Sequence, residues 1–568
     1  MRWAAGEGGP VMPDPSNSMA NALYYGDNLE VLRYSIASES VDLVYLDPPF
    51  NSNASYNVLF RSPAGAGSQA QIEAFKDTWQ WGMEAESAFD EVLRSGNTSA
   101  ADLLVAIRRF LGESDLMAYL AMMTVRLLEL RRVLKPAGSM YLHCDPTASH
   151  YLKTVLDAVF GADRFQNEII WKRTSSANNP RRWGPVHDVI LFYTKSASFT
   201  WNRGLQDLDA GHVAAKYTNR DERGAYALSD LTAAGTRSGD SGMTWRAFDP
   251  TPLGRHWAAP GEALRACGGE PGMTTQEKLD LLDAHGFIYW PAQRARSVGF
   301  PRFKRYLAAG QAIQDVIDDI PPINSQARER LGYPTQKPVA LLERIIAASS
   351  NPGGLVLDPF CGCGTTIHAA QKLGRRWAGI DITHLAISLI ERRLKDAFPG
   401  IAYAVHGTPT DMDGARDLAR RDKYQFQWWA VSLIDAQPFG GKRKGADGGI
   451  DGLIYFRTGP RTTERAIVSV KGGAVGVPMI RDLKGVLDRE RAPIGVFLTL
   501  EFPTRPMEAE AAAAGCHTQD GRQYPRVQII TVAQALSGAK PAIPLVDTGA
   551  AFKRAPREES GGQGGLEI

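Results

Sequence analysis

The segment LVLDPFCGCGTT, residues 355–366, predicts a buried strand, a glycine-rich turn and the start of a helix. The strand would place Asp358 at its carboxyl end, the edge where open α/β sheets bind their ligands. Gly362 and Gly364 allow a tight turn and a close approach of the backbone to a bulky ligand. Thr365 opens a helix whose N-terminus favours a carboxylate. The segment therefore predicts a cofactor loop at one edge of a parallel sheet.

A second acidic residue, Asp381, ends the next predicted strand, WAGID at 377–381. A carboxylate in that place suits hydrogen bonds to both hydroxyls of a ribose. NAD is therefore a competing ligand for this loop. However, the spacing of Gly362 and Gly364 lacks the later glycine of the dinucleotide fingerprint.

Another apolar run, residues 41–46, predicts a strand that ends in Asp47-Pro48-Pro49-Phe50. The exocyclic amine of a nucleobase is a poor nucleophile, because its lone pair is delocalised into the ring. The Asp47 carboxylate and the backbone carbonyl of Pro48 can both accept hydrogen bonds from such an amine and expose its lone pair. The prolines fix the backbone, and Phe50 offers a flat face for an extruded base. The alternative is a proline-rich turn in which Asp47 caps and Phe50 packs.

The composition limits the class of protein. A chain of 568 residues predicts more than one domain, and a net charge of +2 means that any nucleic-acid surface must be local. No apolar run approaches the roughly 20 residues of a membrane-spanning helix. Five scattered cysteines favour a reducing cytoplasm over a disulfide framework. Cys361 and Cys363 lack a second ligand pair, so loop packing is favoured over a zinc site.

Strands alternate with helices on both sides of an irregular stretch, which predicts an α/β fold with a mainly parallel sheet covered on both faces. Residues 51–80 are expected to form a long loop-rich stretch, and a helix over 115–134 should end at Lys135 to Gly138, with a strand from Ser139. The chain is divided into a disordered lead-in at 1–20, a first α/β part at 21–171, an insert at 172–330, a second α/β part at 331–415, a small α/β unit at 421–540 and a disordered tail at 541–568.

The two strings and their order resemble the circularly permuted β group of amino-directed DNA methyltransferases, over about residues 20–415. The resemblance implies a Rossmann-like sheet that binds S-adenosylmethionine, and double-stranded DNA as the substrate. It implies methyl transfer to the N6 amine of adenine in a restriction-modification setting, with Asp47, Pro48, Pro49 and Phe50 as the catalytic residues. Cytosine-N4 methylation is the alternative. RNA and protein methylation are disfavoured, because an Asn at the first catalytic position is absent.

The resemblance also assigns the cofactor contacts. GYPTQKP at 332–338 resembles the segment that precedes the glycine loop in permuted enzymes and closes over the cofactor. An acidic residue after the first strand contacts the adenine of the cofactor in this family. The implied cofactor-binding residues are Asp27, Pro334, Thr335, Lys337, Asp358, Phe360, Gly362, Gly364, Thr365 and Asp381.

The insert at 172–330 lies where permuted enzymes carry their DNA-recognition region. Its first part mixes cations with Trp171 and Trp183, and such residues neutralise phosphates or stack on bases. An ordinary surface loop with a buried Trp is the alternative. The candidate DNA-binding residues are Lys172, Arg173, Arg181 and Arg182. The location implied is the cytoplasm of a bacterium or archaeon, and the oligomeric state stays open, a dimer included.

The unit at 421–540 resembles an Mrr-like member of the PD-(D/E)xK nucleases. That family uses a carboxylate on one strand and a Lys on the next to gather a divalent metal, which activates water. Asp451 and Lys471 match this pattern, which implies a Mg²⁺ site at Asp451, but Ser469 stands where Glu or Gln is expected. Two alternatives follow: a restriction enzyme that also cleaves DNA, or a module that only binds DNA through Lys471 and the basic residues 442–444.

Overall fold

The computed structural model describes most of the chain. The described residues are 21–49, 55–61, 67–76, 80–174, 181, 183–291, 299–324, 327–331, 333, 335–439, 448–458, 462–544 and 556–558. For 55–61 and 67–76 the description covers the backbone alone. The predicted lead-in at 1–20 lies outside these residues, and so does the predicted tail apart from 541–544 and 556–558. Residues Arg203–Gln314 form one compact unit and the other described residues form a second.

The first part of the chain alternates strands and helices. Its elements are β1 (Ala22–Tyr25), α1 (Asn28–Ser35), β2 (Val41–Leu46), β3 (Ser55–Arg61), β4 (Gly67–Lys76), α2 (Met83–Arg94), α3 (Thr98–Leu111), α4 (Asp115–Val133), β5 (Leu134–Cys144), α5 (Ser149–Phe160), a 3₁₀ turn at Ala162–Arg164, β6 (Phe165–Lys172) and β7 (His187–Thr194). The side chain of Ser114 caps α4 by accepting a hydrogen bond from the Met117 amide. No helix in the described part of the chain is both long and apolar enough to cross a membrane.

Two expectations are wrong in this part. The stretch expected to be loop-rich contains the antiparallel pair β3 and β4. Tyr56, Val58 and Phe60 alternate along β3, whereas Gly, Ser and Ala obscure the alternation along β4. The strand expected to start at Ser139 starts at Leu134. The turn expected at Lys135 to Gly138 is extended instead, since Val41 of β2 pairs with Leu134 across a register shift.

The unit Arg203–Gln314 is more regular than its weak periodicity suggests. It contains β8 (Leu205–Gln206), α6 (Ala210–Lys216), β9 (Asn219–Asp221), β10 (Gly224–Asp230), β11 (Thr232–Ala234), β12 (Arg255–Trp257), α7 (Gly261–Ala266), α8 (Thr275–Ala284), β13 (Ile288–Tyr289), β14 (Arg302–Tyr306) and β15 (Gln311–Ala312), with 3₁₀ turns at Asp240–Gly242 and Thr251–Leu253. Trp245 and Trp257 lie in its core with Leu279 and Phe303. These two tryptophans are therefore packing residues of the unit.

The next part completes the large sheet. Its elements are β16 (Val316–Ile317), α9 (Val339–Ser349), β17 (Leu355–Asp358), α10 (Thr365–Lys372), β18 (Arg376–Asp381), α11 (His384–Ala397), β19 (Ala404–His406) and α12 (Met412–Arg421). Among the described residues, nine strands pair in the order β16-β6-β7-β5-β2-β17-β18-β1-β19. The run from β5 to β19 is parallel, and β7 is antiparallel to both β5 and β6. Strand β7, inside the predicted insert at 172–330, thus belongs to the main sheet.

Both faces of this sheet are covered by apolar residues. Val44 and Leu46 of β2 belong to one buried cluster, whereas Leu43 and Tyr45 belong to another on the opposite face. Alternate residues of a strand point to opposite faces, so β2 reads as a continuous apolar run. The predicted α/β fold with a parallel sheet covered on both sides is confirmed.

The remainder forms a smaller α/β unit. Its elements are α13 (Lys423–Leu433), β20 (Gln437–Pro438), β21 (Gly452–Arg457), β22 (Thr463–Lys471), α14 (Val477–Glu490), β23 (Ile494–Thr499), α15 (Arg505–Ala512), β24 (Cys516–Gln519), β25 (Arg522–Pro525), β26 (Val527–Thr531) and α16 (Val532–Leu536). Its sheet has the order β20-β21-β22-β23-β26, with β22, β23 and β26 parallel. Apolar clusters lie on both of its faces.

Helix α13 connects this smaller unit to the large sheet. Trp428 of α13 is buried in a cluster with Tyr333, Cys363, Leu385 and Leu389. On the preceding turn, the side-chain oxygen of Gln425 accepts a hydrogen bond from the His384 amide at 3.1 Å. The small unit therefore packs directly behind the glycine-rich loop that contains Cys363.

Candidate active site

Four acidic residues lie at the carboxyl ends of neighbouring strands. Asp47 follows β2, Asp358 ends β17, Asp381 ends β18 and Asp27 follows β1. In the sheet register, Tyr25 of β1 lies opposite Asp381, and Asp358 lies opposite Gly379. All four acidic residues line one cavity of about 330 Å³. The two sequence strings, about 300 residues apart in the chain, thus meet at one edge of the sheet.

The glycine-rich loop is held by the two carboxylates beside it. The Phe360 amide donates to Asp358 Oδ1 at 3.0 Å, and the Gly362 amide donates to Asp381 Oδ2 at 3.0 Å. Gly362 has a φ of +49° and Gly364 a φ of +73°, so both adopt the left-handed conformation that glycine favours. A Cβ on Gly364 would lie 2.8 Å from Cγ1 of Ile390. Gly364 therefore allows the loop to pack closely against Ile390 of α11, and it does not line the cavity.

Burial raises the pKa values of both carboxylates in this loop. The pKa of Asp358 is raised to about 7, although hydrogen bonds from the Thr366 side chain and the Phe360 amide oppose the shift. The pKa of Asp381 is raised to about 6 by burial, although the backbone and side chain of Thr383 oppose it. A carboxylate that is dehydrated in this way gains from a ligand that donates hydrogen bonds to it.

Asp27 is held by a buried arginine that the sequence interpretation missed. Arg126 Nη2 donates to Asp27 Oδ1 at 3.2 Å, and Arg126 Nε donates to Asn28 Oδ1 at 2.6 Å. Asn28 Nδ2 in turn donates to the carbonyl of Pro359 at 2.8 Å. Burial lowers the pKa of Arg126. An arginine inside the apolar helix α4 is the signal that could have revealed this residue, because a buried cation needs an anionic partner.

The carboxylate of Asp47 is paired on one oxygen and bare on the other. Lys337 Nζ lies 2.6 Å from Asp47 Oδ2, and both side chains are nearly buried. Asp47 Oδ1 is buried and has no hydrogen-bond partner among the described residues. Pro49 lines the cavity and Pro48 is buried behind it, whereas Phe50 lies outside the described residues. Lys337, predicted to contact the cofactor, thus reaches Asp47.

A second buried network, also missed from the sequence, lies beside Asp47. Tyr45 shares a hydrogen bond of 2.8 Å with His143 Nδ1, and His143 Nε2 lies 3.2 Å from Asp188 Oδ2. Since a carboxylate only accepts hydrogen bonds, His143 donates from Nε2 and accepts from the Tyr45 hydroxyl. Burial lowers the pKa of His143, which keeps the ring neutral. Arg173 Nε contacts the other oxygen of Asp188 at 3.1 Å.

The segment around residues 333–337 forms one wall of the cavity. Tyr333, Thr335 and Lys337 line it, whereas Pro334 lies outside the described residues. Gln336 braces the segment: its amide nitrogen donates to the Glu329 carbonyl at 2.6 Å, and its oxygen accepts from the Leu331 amide at 2.8 Å. Of the predicted cofactor-binding residues, the structure places these in the cavity: Asp27, Thr335, Lys337, Asp358, Phe360, Gly362, Thr365 and Asp381.

The candidate DNA-binding residues differ in their surroundings. Lys172 and Arg181 are exposed, and Arg182 lies outside the described residues. Arg173 is exposed as well, but its guanidinium pairs with Asp188. Trp171 is buried and its indole nitrogen donates to the Ile320 carbonyl at 2.9 Å, whereas Trp183 is 97% exposed. Trp171 is thus a packing residue.

The three candidate nuclease residues lie together in the small unit. Asp451 immediately precedes β21 and its amide donates to the Val468 carbonyl at 2.9 Å. Ser469 and Lys471 are alternate residues of β22 and share one face of it. Asp451 and Ser469 are both buried. The described residues contain no group of three or more His, Cys, Asp or Glu side chains arranged to hold a metal ion.

The carboxyl edge of this parallel α/β sheet gathers a glycine-rich loop and four acidic residues around one cavity, which is where open α/β sheets bind nucleoside-like ligands. The model of a family described as DNA methylase matches residues 41–392. The chain belongs to this family, as a DNA methyltransferase of the restriction-modification type. The resemblance of the two strings to amino-directed DNA methyltransferases is therefore confirmed. Residues 418–524 match a second family model, described as restriction endonuclease.

Individual proteins show the same likeness. The type II methyltransferase M.EcaI of Enterobacter cloacae is 31% identical over 390 residues, which cover 68% of this chain and 72% of that protein. The DNA adenine methyltransferase YhdJ of Escherichia coli K12 is 27% identical over 384 residues, which cover 67% of this chain and 85% of YhdJ. A solved M1.HpyAVI–SAM complex has 14% identity and a TM-score of 0.29, with 66% of this chain and 98% of that chain covered.

Proposed function

We propose that this chain transfers a methyl group from S-adenosylmethionine to the N6 amine of adenine in double-stranded DNA. The observation that carries the proposal is the shared cavity. Asp47 and Pro49 line it, and so do the residues of the loop from Asp358 to Cys363 and Thr365. An amine bound at Asp47 would therefore lie beside a cofactor bound at the loop.

The residues present suit this cofactor. Asp381 is a partly buried carboxylate at the end of β18, suited to the two ribose hydroxyls. Gly362 leaves room for close approach, because its missing side chain would lie 3.3 Å from the ring of Tyr333. Asp27, fixed by Arg126, is assigned to the adenine of the cofactor. When bound, S-adenosylmethionine supplies an electrophilic methyl group on a positively charged sulfur.

Asp47 is assigned to the target amine. Its bare Oδ1 can accept a hydrogen bond from the amine, and the carbonyl of Pro48 can accept a second. Lys337 keeps the other oxygen engaged and fixes the plane of the carboxylate. The amine nitrogen would lose a proton as it gains the methyl group and the bond between methyl and sulfur breaks. Asp47 Oδ1 is the assigned acceptor of that proton. The catalysis is positioning and electrostatics.

The target-recognition role is assigned to the insert at 172–330, and contacts with DNA are assigned to Lys172, Arg173, Arg181 and Arg182. The exposed Lys172 and Arg181 fit contacts with phosphates. Phe50 is assigned to stacking on the extruded base. We place the protein in the cytoplasm of a bacterium or archaeon, where its five free cysteines would stay reduced.

Adenine is favoured over cytosine by the name of one relative, the adenine methyltransferase YhdJ. The test is incubation of the protein with mixed-sequence DNA and S-adenosylmethionine, followed by mass spectrometry of the digested nucleosides. N6-methyladenine is the expected product, and N4-methylcytosine would establish the alternative. Finding neither, while calorimetry shows that the cofactor binds, would refute DNA methylation by this chain.

A further inference from the structure

Both oxygens of the Asp451 carboxylate accept hydrogen bonds from the protein. Val470 donates its backbone amide to Asp451 Oδ2 at 2.7 Å, and Gln427 donates its side-chain amide to Asp451 Oδ1 at 2.9 Å. The Asp451 side chain is buried, with the residue only 7% exposed. Its negative charge is therefore already balanced by N–H dipoles from β22 and α13.

Gln427 stands where a second metal ligand would have to approach. It lies in the middle of α13, and its NH₂ group points at Asp451. An NH₂ group presents hydrogens, so it repels a cation at that point. If the amide rotated, its oxygen would instead face Asp451 Oδ1 and lose the present hydrogen bond. The sequence resemblance did not predict a contact between Gln427 and Asp451, because the two residues are 24 positions apart in the chain.

The remaining ligand position is also neutral. Ser469 is buried on the strand beside Asp451, and a serine hydroxyl is a weak ligand for a divalent metal. Magnesium dehydrates reluctantly, and nuclease sites offset that cost with anionic oxygens. Asp451, Gln427 and Ser469 together supply one negative charge, on a carboxylate already bonded to two donors. In the part of the unit that the structure describes, residues 448–458 and 462–544 with helix α13, this side-chain set does not fit the metal that the nuclease family uses.

We infer that the C-terminal unit is a nuclease fold without a working metal site, and that it does not cleave DNA. The Gln427–Asp451 hydrogen bond has taken the place of the ion, since it ties α13 to the sheet. The same helix carries Trp428, which packs against Tyr333 and Cys363 of the cofactor side. The unit therefore serves the methyltransferase as a structural support. The inference stands independently of which base is methylated.

Manganese titration of the full-length protein tests this directly, because Mn²⁺ is detected by electron paramagnetic resonance without any turnover. The wild type and Asp451→Asn are expected to give the same binding isotherm. Both should leave supercoiled, unmethylated plasmid intact with Mg²⁺ or Mn²⁺. A stoichiometric Mn²⁺ site that Asp451→Asn removes would overturn the inference, and so would nicking by the wild type that Asp451→Asn abolishes.

A restoring variant sharpens the test. Gln427→Glu combined with Ser469→Glu would place three carboxylates around one point, and we expect Mn²⁺ affinity to rise at least tenfold over the wild type. Unchanged methylation by this variant would show that it folds. The wild-type isotherm decides the matter by itself if the variant does not fold. If the wild type already binds Mn²⁺ as tightly as a folded restoring variant, the metal site was intact and the inference is wrong.

Discussion

The two α/β sheets of this chain each present an aspartate at a strand end, but the two aspartates differ in how they are satisfied. Asp47 has one oxygen on Lys337 and the other buried without a described partner. Asp451 has both oxygens on N–H donors. A buried acceptor left bare costs free energy, about 1–3 kcal/mol, and such a cost is retained where a ligand will relieve it. On our proposal, Asp47 is kept ready for a substrate, whereas Asp451 serves as a structural link.

The carboxylates around the methylation cavity show the same contrast. Asp358 and Asp381 have pKa values raised to about 7 and about 6 by burial. The free-energy cost of burying these two carboxylates is present in the protein without its cofactor. Within the small unit, Asp451 accepts one hydrogen bond from Gln427 and one from the sheet. The fold alone therefore does not determine which reaction a site can catalyse. The carboxylates without a full set of partners at the strand ends determine it.

The largest difference between the two sites is expected when each aspartate is replaced by alanine. Asp47→Ala should lower methyl transfer at least about 1,000-fold, since it removes the acceptor for the target amine. Cofactor binding should persist, because Asp47 is assigned to the base. Asp451→Ala should leave methylation within about twofold of the wild type. Radiolabelled methyl transfer and isothermal titration of the cofactor measure the two properties, and equal losses in both variants would erase the distinction between the sites.

Removing the two lysines should give the next largest difference. Lys337→Met leaves the Asp47 carboxylate buried without its cation, so we expect kcat to fall about 10- to 100-fold. Lys337→Arg should recover part of this loss. Lys471→Met, the matched change at the end of β22, should have no effect on kcat. Steady-state kinetics in cofactor and DNA provide the measurement. A change confined to the cofactor KM of Lys337→Met would return Lys337 to cofactor binding.

The pH dependence of cofactor binding follows from Asp381. A pKa raised to about 6 means that the folded protein holds a proton that the unfolded chain would lose near pH 4. The stabilising contribution is present at low pH and is lost as pH rises through about 6. Ribose hydroxyls need the ionised form, so cofactor affinity should fall about tenfold per pH unit below about 6. Calorimetry across pH 5 to 8 measures this, and Asp381→Asn should flatten the profile.

The smallest difference concerns two glycines. Gly362 and Gly448 both have a left-handed φ, of +49° and +66°. Replacing either by Ala should cost about 1 kcal/mol of stability. Gly362→Ala should also weaken cofactor binding about fivefold, because its Cβ would press on the Tyr333 ring that lines the cavity. Gly448→Ala should not change cofactor affinity. Thermal unfolding paired with cofactor titration compares the two, and identical affinities would exclude Gly362 from the cofactor wall.

Sequence alone predicts the strand ends well, because an apolar run that stops at an acidic residue marks the carboxyl edge of a parallel sheet. Asp47, Asp358 and Asp381 were all found in that way. The partners of these residues could not be found, since Lys337 lies 290 positions from Asp47 and Arg126 lies 99 positions from Asp27. Only the folded sheet brings them together. The Gln427–Asp451 bond was missed for the same reason, although its two residues are closer in the chain.

The predictions of secondary structure failed where the alternation of apolar and polar residues was hard to recognise. Strand β4 has Gly, Ser, Ala and Gln at many of the positions where branched or aromatic side chains usually mark a strand. The insert at 172–330 was predicted to be irregular, because the elements within Arg203–Gln314 are short. Strands β13 and β15, for example, have two residues each. Short elements carry too few residues for a period to be recognised.

The contact of Trp428 with Tyr333 and Cys363 joins the stabilities of the two sheets. A ligand that binds only the folded state shifts the unfolding equilibrium of every element that must be folded for binding. Since Trp428 lies behind the cofactor loop, the small sheet belongs to that set. Saturating cofactor should therefore delay melting of the C-terminal unit as well, and the two sheets should unfold in one cooperative transition. The small sheet thus takes part in the coupling between cofactor binding and the stability of the methyltransferase.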